Sequence, residues 1–164
     1  LADAVAQYGL DGIDFDDEYA EYNTRGYPDV NNTSYSRVIT KLRELMPADK
    51  IITVFDWGYT YTLSSAAIAC IDFGWFGVFG DTSYGSPTFG IPLTRWSSQA
   101  INLRSYNNAA NLNKTSKKSA DENRGAIQMY DLRSTNTVTY LNAVGRGAYA
   151  LGVTYDGQSY SKDW

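Results

Sequence analysis

Asp11, Asp14, Asp16, Asp17 and Glu18 put five acidic side chains within eight positions, threaded between the apolar residues Leu10, Ile13 and Phe15. In an extended chain, side chains alternate between faces. Asp14, Asp16 and Glu18 then share one face, and Ile13, Phe15 and Asp17 take the other. Carboxyl groups crowded on one face repel each other, so at least one of the three is expected to hold its proton near neutral pH. A protonated carboxyl beside an ionised one is the equipment of a general acid. A plain solvated acidic loop would explain the acids without chemistry. Against it stand the strand-period spacing of Ile13 and Phe15 and the punctuation by Gly9 and Gly12. A calcium loop fails as well, because the glycine precedes the acids and no Glu follows at the required distance.

The elements that must position these acids follow from pattern. Leu1, Val5 and Tyr8 lie at helical spacing and Gly9 closes that helix, which leads into a strand near 10–18. A polar loop covers 23–34. A helix over 34–45 carries Tyr35, Val38, Ile39, Leu42 and Leu45 on one face and stops at Pro47. Strands are expected near 50–56, 71–79, 100–104 and 125–131, with helices near 64–69, 93–99 and 137–144. The Asn- and Lys-rich run 107–118 reads as a loop or a ragged helix. Gly74, Gly77 and Gly80 mark close backbone approach or bulges, and Gly145, Gly147 and Gly152 are expected to break the tail. Asp56 and Trp57 end the second strand, Trp75 lies in the third, and Tyr130 and Asp131 end the last. These five are candidate substrate-binding residues, although Asp56 could equally cap the next turn.

Composition narrows the chemistry. With 164 residues and 43% hydrophobic content the chain can bury a core, and no repeat or linker divides it, so residues 1–164 read as one domain. A formal charge of −4 suggests no nucleic-acid partner, and no apolar run approaches a membrane span of about 20 residues. The single cysteine, Cys70, can form no internal disulfide. The sequence contains no histidine, which removes Ser-His-Asp and Cys-His catalysis and His-based zinc sites. No cofactor or metal is expected. Carboxylates remain as the acid–base groups. The 14 Tyr, 6 Phe and 4 Trp suit either sugar stacking or an ordinary core.

Asp11-Gly12-Ile13-Asp14-Phe15-Asp16-Asp17-Glu18 fits D-G-x-D-x-D-x-E, the signature of family 18 glycoside hydrolases. Its continuation Tyr19-Ala20-Glu21-Tyr22 resembles the Endo H-type endo-β-N-acetylglucosaminidases more than the chitinases. The resemblance is close over residues 1 to about 60 and weak beyond. It implies an α/β fold, the (β/α)8 TIM barrel, with the acidic strand its fourth. Such a barrel needs roughly 200–250 residues. The chain is therefore expected to supply about the last five strands, with a missing N-terminal barrel segment required to complete it. A smaller, complete α/β domain is the alternative.

The resemblance also implies roles. Glu18 would donate the proton, Asp16 would orient the substrate's N-acetyl group, and Asp14 would act as charge partner to Asp16. The substrate's own acetamido oxygen would be the nucleophile, outside the usual two-carboxylate scheme. One departure stands out. Family members carry a tyrosine near the end of strand six, where this chain offers Phe73, Trp75, Phe76 and Phe79. That hydroxyl must then come from a tyrosine elsewhere, or turnover is lost. Three readings follow: hydrolysis of the GlcNAcβ1-4GlcNAc core of N-linked glycans, chitinase-type hydrolysis, or glycan binding without turnover. The expected partner is an N-glycan or other GlcNAc-containing glycan. The expected setting is secreted, cell-surface or periplasmic in a bacterium.

Overall fold

The computed structural model describes residues 1–16, 24, 26–27, 33–56, 63–79, 87, 90–103, 108–131 and 137–156. Strands and helices alternate along it. Helix α1 (Ala2–Tyr8) leads to β1 (Gly12–Asp16), α2 (Ser34–Leu45) to β2 (Ile51–Asp56), and α3 (Ser65–Ala69) to β3 (Phe73–Phe76). Then come a 3-10 turn (Leu93–Arg95), β4 (Trp96–Ser97), β5 (Ala100–Asn102), α4 (Ala109–Asp121), β6 (Gln128–Tyr130) and α5 (Thr137–Tyr149). Every strand pairing is parallel, in the orders β1-β2-β3-β4 and β5-β6. Parallel neighbours need crossover connections, and the helices supply them. The arrangement is an arc of a (β/α)8 barrel, with its strand C-termini at one end.

Local sequence accounts for the boundaries. Gly9 adopts φ 63°, a left-handed cap that a Cβ would strain, and it turns the chain from α1 into β1. Helix α2 ends at Leu45 because Met46 precedes Pro47 and is pushed to extended backbone, with ψ 149°. The face that α2 buries centres on Ser36, Ile39 and Leu42, whereas Val38 and Leu45, expected on it, are exposed. Ile52 and Val54 from β2 are fully buried against Val5, Ile39, Leu42, Ala67 and Ile71. Burying each such side chain stabilises the fold by roughly 1.5–3 kcal/mol. A second core joins Ile101 and Leu103 to Leu112 of α4 and to Tyr140, Ala143 and Val144 of α5.

Three expectations are corrected. Residues 93–99 are not a helix, since only Leu93–Arg95 turn and Trp96–Ser97 pair with β3. The indole of Trp96 is wholly buried over Gly74, where an added Cβ would lie 2.7 Å from its ring. That close approach is what Gly74 permits. Within the run 107–118, residues 109–118 are neither loop nor ragged, because α4 is a regular helix capped by Asn108, whose Oδ1 accepts from Ala110 N at 3.1 Å and Asn111 N at 3.2 Å. Its buried face is built from Leu112 with Thr115, Ser116 and Ser119, three small polar residues that hide the usual apolar stripe. Gly145 and Gly147 do not break the tail but lie inside α5. A Cβ on Gly147 would sit 2.3 Å from Asn113 O, so this glycine lets α5 lie close on α4.

The fourth barrel strand of this arc is broken. Trp96 faces the helices, and so do Ile101 and Leu103, which is possible only if the alternation slips by one residue between them. Ser97 to Gln99 absorb the slip. Ser97 Oγ donates to Gln99 O at 2.9 Å and accepts from Gln128 N at 2.9 Å, tying the two sheet segments together.

Candidate active site

The face of the arc turned away from the helices carries the acids. In the β1–β2 register Asp14 is level with Thr53 and Asp16 with Phe55, and in β2–β3 Phe55 is level with Trp75. Alternation therefore lines one surface with Asp14, Asp16, Thr53, Phe55 and Trp75, and sends Ile13, Phe15, Ile52 and Val54 to the helix side. Phe15 anchors β1 from behind, its ring edge-on to Tyr35 of α2 at 5.6 Å between centroids.

Asp14 is held from two strands. The Thr53 hydroxyl donates to Asp14 Oδ1, and the Trp75 indole Nε1–H donates to the same oxygen at 2.9 Å. Thr53 is almost fully buried, and Trp75 stacks on Phe73 with the rings 5.9 Å apart and 6° from parallel. Both donors are fixed before any ligand arrives. Asp16, two residues further along β1, is exposed on the same face, roughly 6.6 Å away by strand rise.

A wall of rings closes the far side. Phe55 stacks on Phe79 at 5.6 Å, and Phe79 meets Tyr130 of β6 at 5.0 Å. Tyr130 is 54% exposed, so its phenol brings a hydroxyl to open surface beside the end of β3. Apolar rings with a polar tip suit the face of a pyranose.

The structure thus brings together Asp14, Asp16, Trp75 and, through Phe79 and Phe55, Tyr130. Asp56 is the last residue of β2 and, alternating with Phe55, falls on the helix-facing side of the sheet. Asp131 follows β6 with φ 62°, in the left-handed region. Glu18 and Trp57 lie outside the described residues. Thr53, Phe55 and Phe79 were not singled out from sequence as site residues. The register that sets Thr53 beside Asp14 was the signal, and it becomes readable only once β1 and β2 are known to pair.

The fold and the acidic inner face define a class: a barrel that presents carboxylates at the C-terminal half of its strands, where this architecture builds its active sites. The comparisons make the relationship particular. The chain is 29% identical over 156 residues to an endo-β-N-acetylglucosaminidase of Flavobacterium sp. (strain SK1022), covering 92% of this chain and 48% of that protein. It is 26% identical over 175 residues to endo-β-N-acetylglucosaminidase F1 of Elizabethkingia meningoseptica, covering 96% and 50%. It superposes on the crystal structure of Bacteroides thetaiotamicron EndoBT-3987 with Man5GlcNAc product at a TM-score of 0.63 and 19% identity, covering 91% of this chain and 36% of that one. No protein-family model matches. The chain is similar in sequence to these endo-β-N-acetylglucosaminidases, and it spans about half the length of the curated relatives it matches.

Proposed function

We propose that this chain carries the catalytic strand of an endo-β-N-acetylglucosaminidase that cleaves the GlcNAcβ1-4GlcNAc core of N-linked glycans. The observation that carries the reading is the pair Asp14 and Asp16, side by side on the inner face of β1, in a chain whose relatives bear that enzyme's name. Glu18 protonates the leaving glycosidic oxygen and later deprotonates water. Asp16 orients the substrate's acetamido group, whose oxygen attacks the anomeric carbon with retention, and it offsets the positive charge that develops there. Asp14 supports Asp16 from behind. Tyr130, packed on Phe79, is the candidate for the hydroxyl that the third strand lacks. Phe79 and Tyr130, backed by the buried ring of Phe55, receive sugar faces.

Among the described residues β1 pairs only with β2, and β6 only with β5. Exposed strand edges invite further pairing. Strands from a preceding barrel segment complete the site by docking on them, and the enzyme works outside the cell membrane, where glycoproteins are met. No helix among the described residues is long and apolar enough to cross a membrane.

The test is incubation of the full protein with a high-mannose glycoprotein and, separately, with chitin oligomers. Release of a glycan ending in a single GlcNAc is expected. Shortened oligomers without glycan release would point to a chitinase. Retention of either glycan without cleavage would make the protein a binding module.

A further inference from the structure

We infer that Thr53 and Trp75 are positioning residues that fix the Asp14 carboxyl group for the reaction by filling one of its two oxygens. The inference rests on the glycosidase reading above, and it concerns residues to which neither the signature nor the relatives' names assign a part.

Both donors converge on Oδ1, one from the adjacent strand β2 and one from β3, the strand beyond it. Thr53 is the register partner of Asp14 and reaches it directly. Trp75 is level with Phe55 and Asp16, one pair further along, and its indole reaches back past that level to Asp14. Stacking on Phe73 removes the freedom the indole would need to choose another acceptor. A carboxylate oxygen with two donors has its in-plane lone pairs occupied. Any proton that Asp14 receives must then sit on Oδ2, and the plane of the carboxyl group is set by the two donors. Asp16 stands on the same face two residues on. The Asp14 oxygen left open is the one through which a proton can pass between the two. Thr53 and Trp75 act through Asp14 and touch no substrate atom in this assignment.

Three variants of the full protein test this: Thr53→Val, which keeps shape and loses the hydroxyl, Thr53→Ser, which keeps it, and Trp75→Phe, which keeps a stacked ring and loses the N–H. Steady-state release of glycan from a high-mannose glycopeptide is expected to fall about 10- to 100-fold in kcat for Thr53→Val and for Trp75→Phe. KM should stay within about twofold, because the lost contact is not to substrate. Thr53→Ser should recover most of the loss. An unchanged kcat in both deletions, a rise confined to KM, or a Thr53→Ser as impaired as Thr53→Val would overturn the assignment. The indole N–H resonance of Trp75, identified by its disappearance in Trp75→Phe, reads the contact without turnover. It should move upfield in Asp14→Ala, and a resonance that stays put would show that no bond to Asp14 exists. If the unmodified protein cleaves neither substrate, the glycosidase reading fails and the catalytic role fails with it. The resonance still decides the contact in that event, so the two failures are told apart.

Discussion

Asp14 and Asp72 are both carboxylates gripped from neighbouring elements, yet the grips differ in kind. Asp72, just before β3, accepts from Ile52 N at 2.8 Å and from the Arg43 guanidinium. Arg43 in turn donates to Lys50 O at 2.7 Å and Cys70 O at 2.9 Å. Its charge is met by a cation and tied to three backbone groups at the N-terminal ends of β2 and β3. Among the described residues Asp14 is held by neutral donors, and no cation lies within ion-pair distance of it. On the glycosidase reading proposed above, a cation at Asp14 would oppose the charge-partner role assigned to it, whereas neutral donors fix the group without bringing an opposite charge to it. The division follows the barrel's general plan, in which the strands' N-terminal face serves stability and the C-terminal half serves chemistry.

The sharpest way to break that contrast is at the acids themselves. Glu18→Gln keeps shape and removes the transferable proton, so turnover should fall by about 10²–10⁴-fold while glycan affinity persists, as steady-state rates and equilibrium binding will show. Asp16→Asn should follow, and Asp17→Asn, which sequence alternation assigns to the opposite face, should matter least. Equal losses for Asp17 and Glu18 would mean that the alternation stops before residue 17.

Exchanging the tests sharpens it further. Asp14→Asn should slow turnover by about tenfold or more with a nearly unchanged urea midpoint, since a neutral amide oxygen still accepts from Thr53 and Trp75. Arg43→Ala should do the reverse. It strips the partner from Asp72 and from two carbonyls, a loss of about 2–3 kcal/mol of stability, and KM and kcat of the folded fraction should be untouched. Asp72→Asn keeps the shape and some hydrogen bonding, and Asp72 is 38% exposed, so about 1–2 kcal/mol is expected there. A catalytic defect in Arg43→Ala would blur the two ends of the barrel into one functional unit.

Why the acidic strand was legible in sequence and the Asp72 lock was not has a physical reason. Asp14, Asp16, Ile13 and Phe15 are neighbours in the chain, and strand alternation alone sorts them onto two faces. Helix α2 was readable over 34–45 because its stop, Pro47, acts on the adjacent residue. The lock depends on residues 29 positions apart, Arg43 and Asp72, brought together only by the crossover from α2 through β2 to β3. Helix α4 escaped because Thr115, Ser116 and Ser119 do the packing that Leu or Ile would advertise. Gly147 was misread because a glycine inside a helix looks like a breaker until the neighbouring helix is seen against it. Thr53 lay within the strand expected near 50–56, and its bond to Asp14 needed the register.

A third carboxylate sets the floor of the comparison. Asp121 on α4 receives Lys117 Nζ at 2.8 Å, a shorter charged contact than the Trp75–Asp14 bond, but the two side chains are 61% and 64% exposed. Water screens the pair and competes for both groups, and two long side chains lose rotamer freedom in making it. Lys117→Ala should therefore cost only about 0.3–0.5 kcal/mol, the usual value for such a pair one turn apart on a helix. The loss should vanish at 1 M salt, where screening acts over about 3 Å. Arg43→Ala, whose contacts include backbone carbonyls, should keep most of its effect in the same salt. Urea titrations of both variants at low and high salt read this directly. If Lys117→Ala proved as costly as Arg43→Ala, or as insensitive to salt, then closeness of the charges would set the strength of these contacts. The kind of partner and its shielding from water would then no longer explain why Asp72 locks the barrel.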